Sequence, residues 1–169
     1  AMDFDDLLVN GLRLLTEHAE IRDFYQKKFR HVLVDEYQDT NLLQAKMVDI
    51  LAGLNRNVMA VGDDFQCIYS WRGADFRNIM EFPKRWDGCR IVKLEQNYRS
   101  VPEVLEVANA CIKGNPEQFQ KTLRPTRKPR NKPRVFFLRD GEEQAMTLLT
   151  LIRRYQEDGY KLSDMAVLY

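Results

Sequence analysis

Short apolar runs separated by stretches of helical periodicity constrain the fold of this 169-residue chain more than any other feature. The runs are His31–Asp35, Asn57–Val61, Arg90–Leu94, Arg134–Leu138 and Met165–Tyr169, each rich in Val, Ile, Phe or Leu. Near-continuous apolarity over such short lengths predicts strands covered on both faces, as in a parallel sheet. Between them, Asn41–Leu54 sets Leu43, Met47, Ile50, Leu51 and Leu54 at helical spacing, with Thr40 as its cap. Ser100-Val-Pro-Glu103 reads as a capping box with proline in the first turn, and Gly114 closes that helix. A further helix is predicted from Glu142 to Asp158, stopped by Gly159, and the opening MDFDDLLVNGLRLLTEH is helical despite Gly11. Alternating strand and helix predicts an α/β layered architecture.

The length suits one compact domain or two small, incomplete ones. A hydrophobic fraction of 44% against 30% charged residues supplies a real core and excludes global disorder. The boundary is expected around Gly88–Leu94, giving residues 1–90 and 91–169 as the two parts. The zone Asn115–Pro133, with prolines at 116, 125, 129 and 133, should be largely irregular. Net charge is +1, which argues neither for nor against a nucleic-acid partner. Cys67, Cys89 and Cys111 are far apart and odd in number, and with only His18 and His31 beside them no zinc spacing can be assembled. Reduced thiols and a cytoplasmic location are the expectation. No apolar run approaches the roughly 20 residues of a membrane span, and no signal peptide is expected. Ala1-Met2 reads as a junction before internal sequence, hence a piece of a longer protein.

Three segments carry chemistry. In Val32–Asn41, VLVDEYQDTN, a strand runs into adjacent carboxylates. Asp35 would hold magnesium and Glu36 would orient or deprotonate an attacking water; alternatively, the pair is exposed and simply opens the following helix, favoured by its dipole. In Val58–Ala74, VMAVGDDFQCIYSWRGA, a strand and a tight Gly-Asp-Asp turn precede Gln66, Tyr69, Trp71 and Arg72. A glutamine so placed can sense a terminal phosphate. Aromatics beside an arginine suit a stacking platform for single-stranded nucleic acid, and equally suit a core. In Lys93–Ser100, KLEQNYRS, Arg99 lies between a strand end and a helix start, where it can neutralise a transferring phosphoryl group or pair with a surface acid. Tyr98 can stack on a base ring.

Taken in order, LVDEYQDTN, VGDDFQCIYSWRGA and LEQNYRS closely resemble motifs II, III and IV of the UvrD/Rep/PcrA-type DNA helicases of superfamily one. DFDDLL near the start and AVLY at the end are similar to family sequence as well, so the resemblance spans essentially the whole chain. It implies partial RecA-like (P-loop NTPase) motor domains, with 1–90 the later part of the first and 91–169 the opening of the second. It also implies ATP and Mg2+ as cofactors, with single-stranded DNA and duplex junctions as partners. Carried over by motif, Asp35 is the magnesium-associated acid, Glu36 the catalytic base, Gln66 the terminal-phosphate contact and Arg99 the arginine finger. Tyr98 stacks on adenine, Gln38 joins the nucleotide site, and Tyr69, Trp71 and Arg72 contact single-stranded DNA. One departure is Phe65, where the family usually has an acid or a small residue.

A phosphate loop of the form GxxxxGK[ST] needs a glycine followed by lysine, and none of the eight glycines here precedes one. The 169 residues alone are therefore expected to hydrolyse no ATP, and their incomplete sheet edges are expected to promote self-association. Between Glu117 and Asp140 there are eight basic residues, Lys121, Arg124, Arg127, Lys128, Arg130, Lys132, Arg134 and Arg139, and no acid. They read as a proline-stiffened connector or as phosphate contacts. The leading functional expectation is an ATP-driven DNA helicase as the parent. The alternatives are a non-catalytic DNA-binding or assembly module and the motor part of an AddA/RecB-like helicase–nuclease.

Overall fold

The computed structural model describes residues 2–169, which divide into two compact units, one running to Arg130 and the other from Asn131 to Tyr169. Both mix helix with irregular chain, and the first holds two small parallel sheets.

The first unit opens with α1 (Phe4–Glu17), entered through a reciprocal capping box between Asp3 and Asp6. At His18 the backbone turns extended, and α2 (Ala19–Lys28) follows directly. Gly11 sits inside α1 facing Met47, where a Cβ would stand 3.4 Å from the Met47 methyl, an ordinary contact distance. Strand β1 (Val32–Val34) then pairs in parallel with β2 (Val58–Ala60), in the register Val32–Val58, Leu33–Met59 and Val34–Ala60. The crossover between them is α3 (Leu42–Ala52). Its cap is Asn41, in a capping box with Gln44, rather than the expected Thr40, whose hydroxyl instead donates to the Tyr37 carbonyl at 2.7 Å.

Val32, Val34, Val58 and Ala60 turn one face of the sheet onto Tyr37, Ala45, Ala52, Phe82 and Trp86, the centre of the core. Phe82 and Trp86 come from α4 (Arg77–Arg85) and its end, and Tyr37 meets Phe82 edge-on at 5.1 Å. Leu33 and Met59 lie on the opposite face, and Leu33 is 70% exposed. Here the expectation of a sheet covered on both faces is corrected: these strands are apolar at every position, yet only one face is packed.

The second sheet pairs β3 (Gln96–Asn97) with β4 (Arg124–Pro125), again in parallel, and α5 (Pro102–Ile112) lies between them in sequence. Ser100 is not the cap of α5; the cap residue is Val101, with no side-chain bond. Asn97 Oδ1 instead accepts the N–H groups of Arg99 and Ser100, which makes a local turn, and Glu103 accepts the Arg130 N–H at 2.9 Å. The second unit contains α6 (Gly141–Glu157), capped by Asp140 and followed by Gly159 at φ 91°.

Three expected strands do not form. Arg90–Leu94, Arg134–Leu138 and Met165–Tyr169 join no ladder among the described residues, and Phe137 is 95% exposed. An apolar run becomes a strand only when a neighbouring backbone supplies its hydrogen bonds, and none of these three runs is in a ladder. No helix is long and apolar enough to cross a membrane among the described residues.

Candidate functional site

Because β1 and β2 are parallel and in register, both release their chains at the same edge of the sheet. Asp35 and Glu36 leave β1 there, and Gly62 and Asp63 follow β2. Backbone bonds extend the pairing past the strands: Val61 N–H donates to the Val34 carbonyl at 2.8 Å and Tyr37 N–H to the Val61 carbonyl at 2.9 Å. The two loops therefore start side by side.

Glu36 adopts φ 49° and ψ 42°, the left-handed region that a non-glycine residue occupies at a cost of about 1–2 kcal/mol. This conformation turns the chain sharply into a short 3-10 turn, Tyr37–Asp39, and leaves both acids exposed. Tyr37 goes inward, where its hydroxyl accepts from Arg85 at 2.7 Å; burial raises its pKa, against the lowering effect of Arg85. Gln38 is 2% exposed and uses both ends of its amide. Its Nε2 donates to Glu36 Oε2 at 2.7 Å, and its Oε1 accepts the Asp63 N–H at 3.0 Å. Gly62 makes room for it, since a Cβ at that position would stand 2.7 Å from Gln38 Oε1 and 2.6 Å from Ile79 Cδ1.

Asp63 is the next junction. Its Oδ2 accepts from Gln66 Nε2 at 2.8 Å, and its Oδ1 accepts the Phe65 N–H at 3.1 Å and Lys121 Nζ at 2.6 Å. Lys121 also donates to Asp64 at 2.6 Å and lies 4.0 Å from the centre of the Phe65 ring, while Asp64 accepts the Phe119 N–H. Burial pushes the Asp63 carboxyl upward, but hydrogen bonds from Lys121 and Gln66 outweigh it and hold the group below the usual carboxylate range. For Lys121, burial works downward and loses to the two aspartates, so the ammonium is held above its ordinary value.

Beyond Gln66 the chain bounds a cavity of about 490 Å³ whose walls include Gln38, Asp64, Cys67, Tyr69 and Ile112. Burial, reinforced by Asp64, Asp39 and Asp63, pushes the Cys67 thiol up to about 11, which favours the thiol over the thiolate. A second short turn, Ser70–Arg72, ends at Gly73 with φ 80°. Trp71 is 72% exposed, so it is not a core residue. The Arg72 guanidinium lies 4.6 Å from the Trp71 ring centre and 5.5 Å from that of Tyr69. This exposed aromatic pair with its cation has the make-up of a base-stacking surface.

The turn after β3 carries Tyr98 and Arg99. Both are exposed, and the Tyr98 hydroxyl donates to Gln96 at 2.9 Å. No hydrogen bond or ion pair links Arg99 to Asp35, Glu36 or Gln66 among the described residues. The structure thus joins Glu36, Gln38 and Gln66 through Asp63, groups Tyr69, Trp71 and Arg72, and leaves Tyr98 and Arg99 apart. Asp63 and Lys121 are the residues that sequence reasoning passed over. Asp63 was visible only as part of a tight turn. Lys121 stood within a run of bases whose charge gave no sign of a partner 58 residues away.

Mg2+ usually takes one or two carboxylates and completes its shell with water and phosphate oxygens. Asp35 fits that use: it is exposed, and one oxygen accepts the Glu36 N–H at 2.9 Å. No cluster of three or more metal-binding side chains occurs among the described residues.

Comparison with known proteins shows which family the chain resembles. Residues 1–87 match the model of the UvrD/REP helicase N-terminal domain, and residues 92–169 match that of the UvrD-like helicase C-terminal domain. The chain is similar along its full length to the ATP-dependent DNA helicase PcrA of Staphylococcus aureus (strain Mu50 / ATCC 700699), at 40% identity. PcrA of Staphylococcus epidermidis (strain ATCC 12228 / FDA PCI 1200) is 39% identical over the same 169 residues. In both cases the chain spans 23% of the relative's length. Matched by the two models in succession, this chain belongs to the UvrD/REP helicase family.

Proposed function

We propose that this sequence works as part of an ATP-dependent DNA helicase that moves on single-stranded DNA and opens duplex by hydrolysing ATP. One observation carries the reading: two parallel strands deliver Asp35–Glu36 and Asp63–Gln66 to the same sheet edge, where open α/β sheets bind ligands. The family similarity to PcrA supports it. In this reading residues 1–90 and 91–169 belong to two successive RecA-like motor domains, and the protein acts in the cytoplasm.

Each residue then has a task. Glu36 accepts the proton of the water that attacks the terminal phosphate, and Gln66 hydrogen-bonds that phosphate. Asp35 would hold Mg2+, which when bound neutralises charge on the phosphate oxygens. Arg99 supplies positive charge to the phosphoryl group in transfer, and Tyr98 stacks on the adenine. Trp71 and Tyr69 stack on DNA bases, with Arg72 adding cation–π attraction and charge for the backbone. Gln66 and Trp71 lie on consecutive turns of one loop, so a shift at the phosphate end has a short path to the DNA-stacking end.

The test is ATP hydrolysis by the full-length protein that carries this sequence, with and without single-stranded DNA. The expected result is hydrolysis that rises strongly when DNA is added. A full-length protein that hydrolyses no ATP in the presence of DNA would show the reading to be wrong.

A further inference from the structure

We infer that Gln38 is a positioning residue for hydrolysis: its amide aims the Glu36 carboxylate and ties it to the turn that carries Gln66. The inference rests on the helicase reading above and assigns Gln38 a role other than touching nucleotide.

Three observations carry it. First, the Gln38 side chain is buried and both ends of its amide are used inside the protein, at 2.7 Å to Glu36 Oε2 and 3.0 Å from the Asp63 N–H. The first contact takes one of the two amide hydrogens, and it fixes which way the Glu36 carboxylate faces. Second, Glu36 stands in a left-handed backbone conformation that its own side chain does not favour, so the surroundings must hold it there. Gln38 does so from two residues further along the same turn. Third, Asp63 passes the connection on, since its carboxylate accepts the Gln66 amide at 2.8 Å.

The path is continuous: Glu36 carboxylate, Gln38 amide, Asp63 backbone and side chain, Gln66 amide. Gly62 keeps it intact, because any side chain there would collide with Gln38 Oε1. A base and a phosphate sensor joined in this way move as a unit. When Gln66 engages or leaves a phosphate, the Glu36 carboxylate is carried with it. Without Gln38 the two groups would still be present, but each would find its geometry separately, and hydrolysis depends on that geometry to a fraction of an ångström.

The discriminating variant is Gln38→Glu in the full-length protein. It keeps the length, the volume and an acceptor for the Asp63 N–H, and replaces only the donor facing Glu36 with an acceptor of like charge. Gln38→Met, which keeps volume and removes both hydrogen bonds, is its companion, and melting temperatures report folding. In steady-state hydrolysis with saturating single-stranded DNA, both variants should lower kcat about 10- to 100-fold, the usual cost of losing a residue that orients a reactive ligand. KM for ATP should stay within about threefold of wild type, because no nucleotide contact is removed. Combined with Glu36→Gln, Gln38→Glu should slow hydrolysis no further, because Gln38 acts through the carboxylate already lost.

A raised KM with unchanged kcat would overturn the inference in favour of direct nucleotide contact. Wild-type kcat in a folded Gln38→Glu protein would overturn it in favour of a packing role. In both cases the wild-type protein still hydrolyses ATP, so the helicase reading stands. A wild-type protein without DNA-stimulated hydrolysis would remove that reading and this inference together.

Discussion

Glu36 carries a backbone cost in the turn that follows β1. Its left-handed conformation turns the chain directly after β1, so the carboxylate is exposed at the sheet edge while Tyr37 drops into the core. The strain can be isolated by comparing two truncations. Glu36→Ala and Glu36→Gly both lose the carboxylate and the bond to Gln38, but only glycine accepts φ 49° freely. We expect Glu36→Gly to be more stable than Glu36→Ala by about 1 kcal/mol, read from urea unfolding of the 169-residue chain. Equal stability, or a more stable alanine variant, would mean that the turn relaxes and holds no strain. The adjacent acids were legible in the sequence as a chemical pair. Their backbone conformation was not, because a left-handed glutamate leaves no mark in composition or spacing.

At the scale of elements, Lys121 connects an irregular segment to the turn after β2. Lys121 comes from an irregular segment, yet its side chain is largely buried between Asp63, Asp64 and the Phe65 ring. The eight bases between Glu117 and Asp140 therefore do not form one solvated tract. Arg124 also faces an acid, Glu95, at 3.6 Å, whereas Arg127, Lys128 and Lys132 are exposed. Phe65 supplies the ring under the Lys121 ammonium.

Removing the charge with Lys121→Met would leave two carboxylates facing each other in a half-buried site. That should cost about 3 kcal/mol, as breaking a buried ion pair usually does, with a matching fall in melting temperature. The pH dependence follows from the two shifts. Asp63 is held below its usual value, so its contribution is present above the unfolded carboxylate pKa and fades as pH falls through the lower folded value. Lys121 is held above 10.5, so its contribution persists to that pH and is lost as pH rises through the higher folded value. Lys121→Met should flatten both limbs of a stability–pH curve measured against wild type, and an unchanged curve would contradict the assignment. These elements also show where sequence pattern suffices. β1, α3 and β2 were readable because their apolar residues pack against one another within 30 residues of chain. Arg90–Leu94 and Arg134–Leu138 have the same apolar character but join no ladder, so pattern alone misled. The short β3–β4 pairing, made by Gln96, Asn97, Arg124 and Pro125, carries no apolar signal at all.

For the whole molecule, the covered and open faces of the first sheet lead to different expectations. The covered face builds the core, while Leu33 and Met59 on the other face, with Val61 nearby, leave apolar surface in water. α1 adds Phe4 and Leu7 to the exposed apolar side chains. Surface of this kind promotes association. Light scattering of the 169-residue chain should show a mass that rises with concentration, and Leu33→Lys should reduce the rise. A constant monomer mass at high concentration would count against this expectation. The same chain contains no glycine–lysine pair for a phosphate loop, so it should show no measurable ATP hydrolysis alone. The central claim is that the sheet edge bearing Glu36 and Gln66 is a hydrolytic site driven by DNA. Its most direct test is single-stranded-DNA-stimulated ATP hydrolysis by the full-length protein, comparing wild type with Glu36→Gln. The account predicts a loss of about 100- to 10,000-fold, the usual contribution of a general base, with DNA binding retained. A Glu36→Gln protein that hydrolyses ATP at the wild-type rate would contradict it.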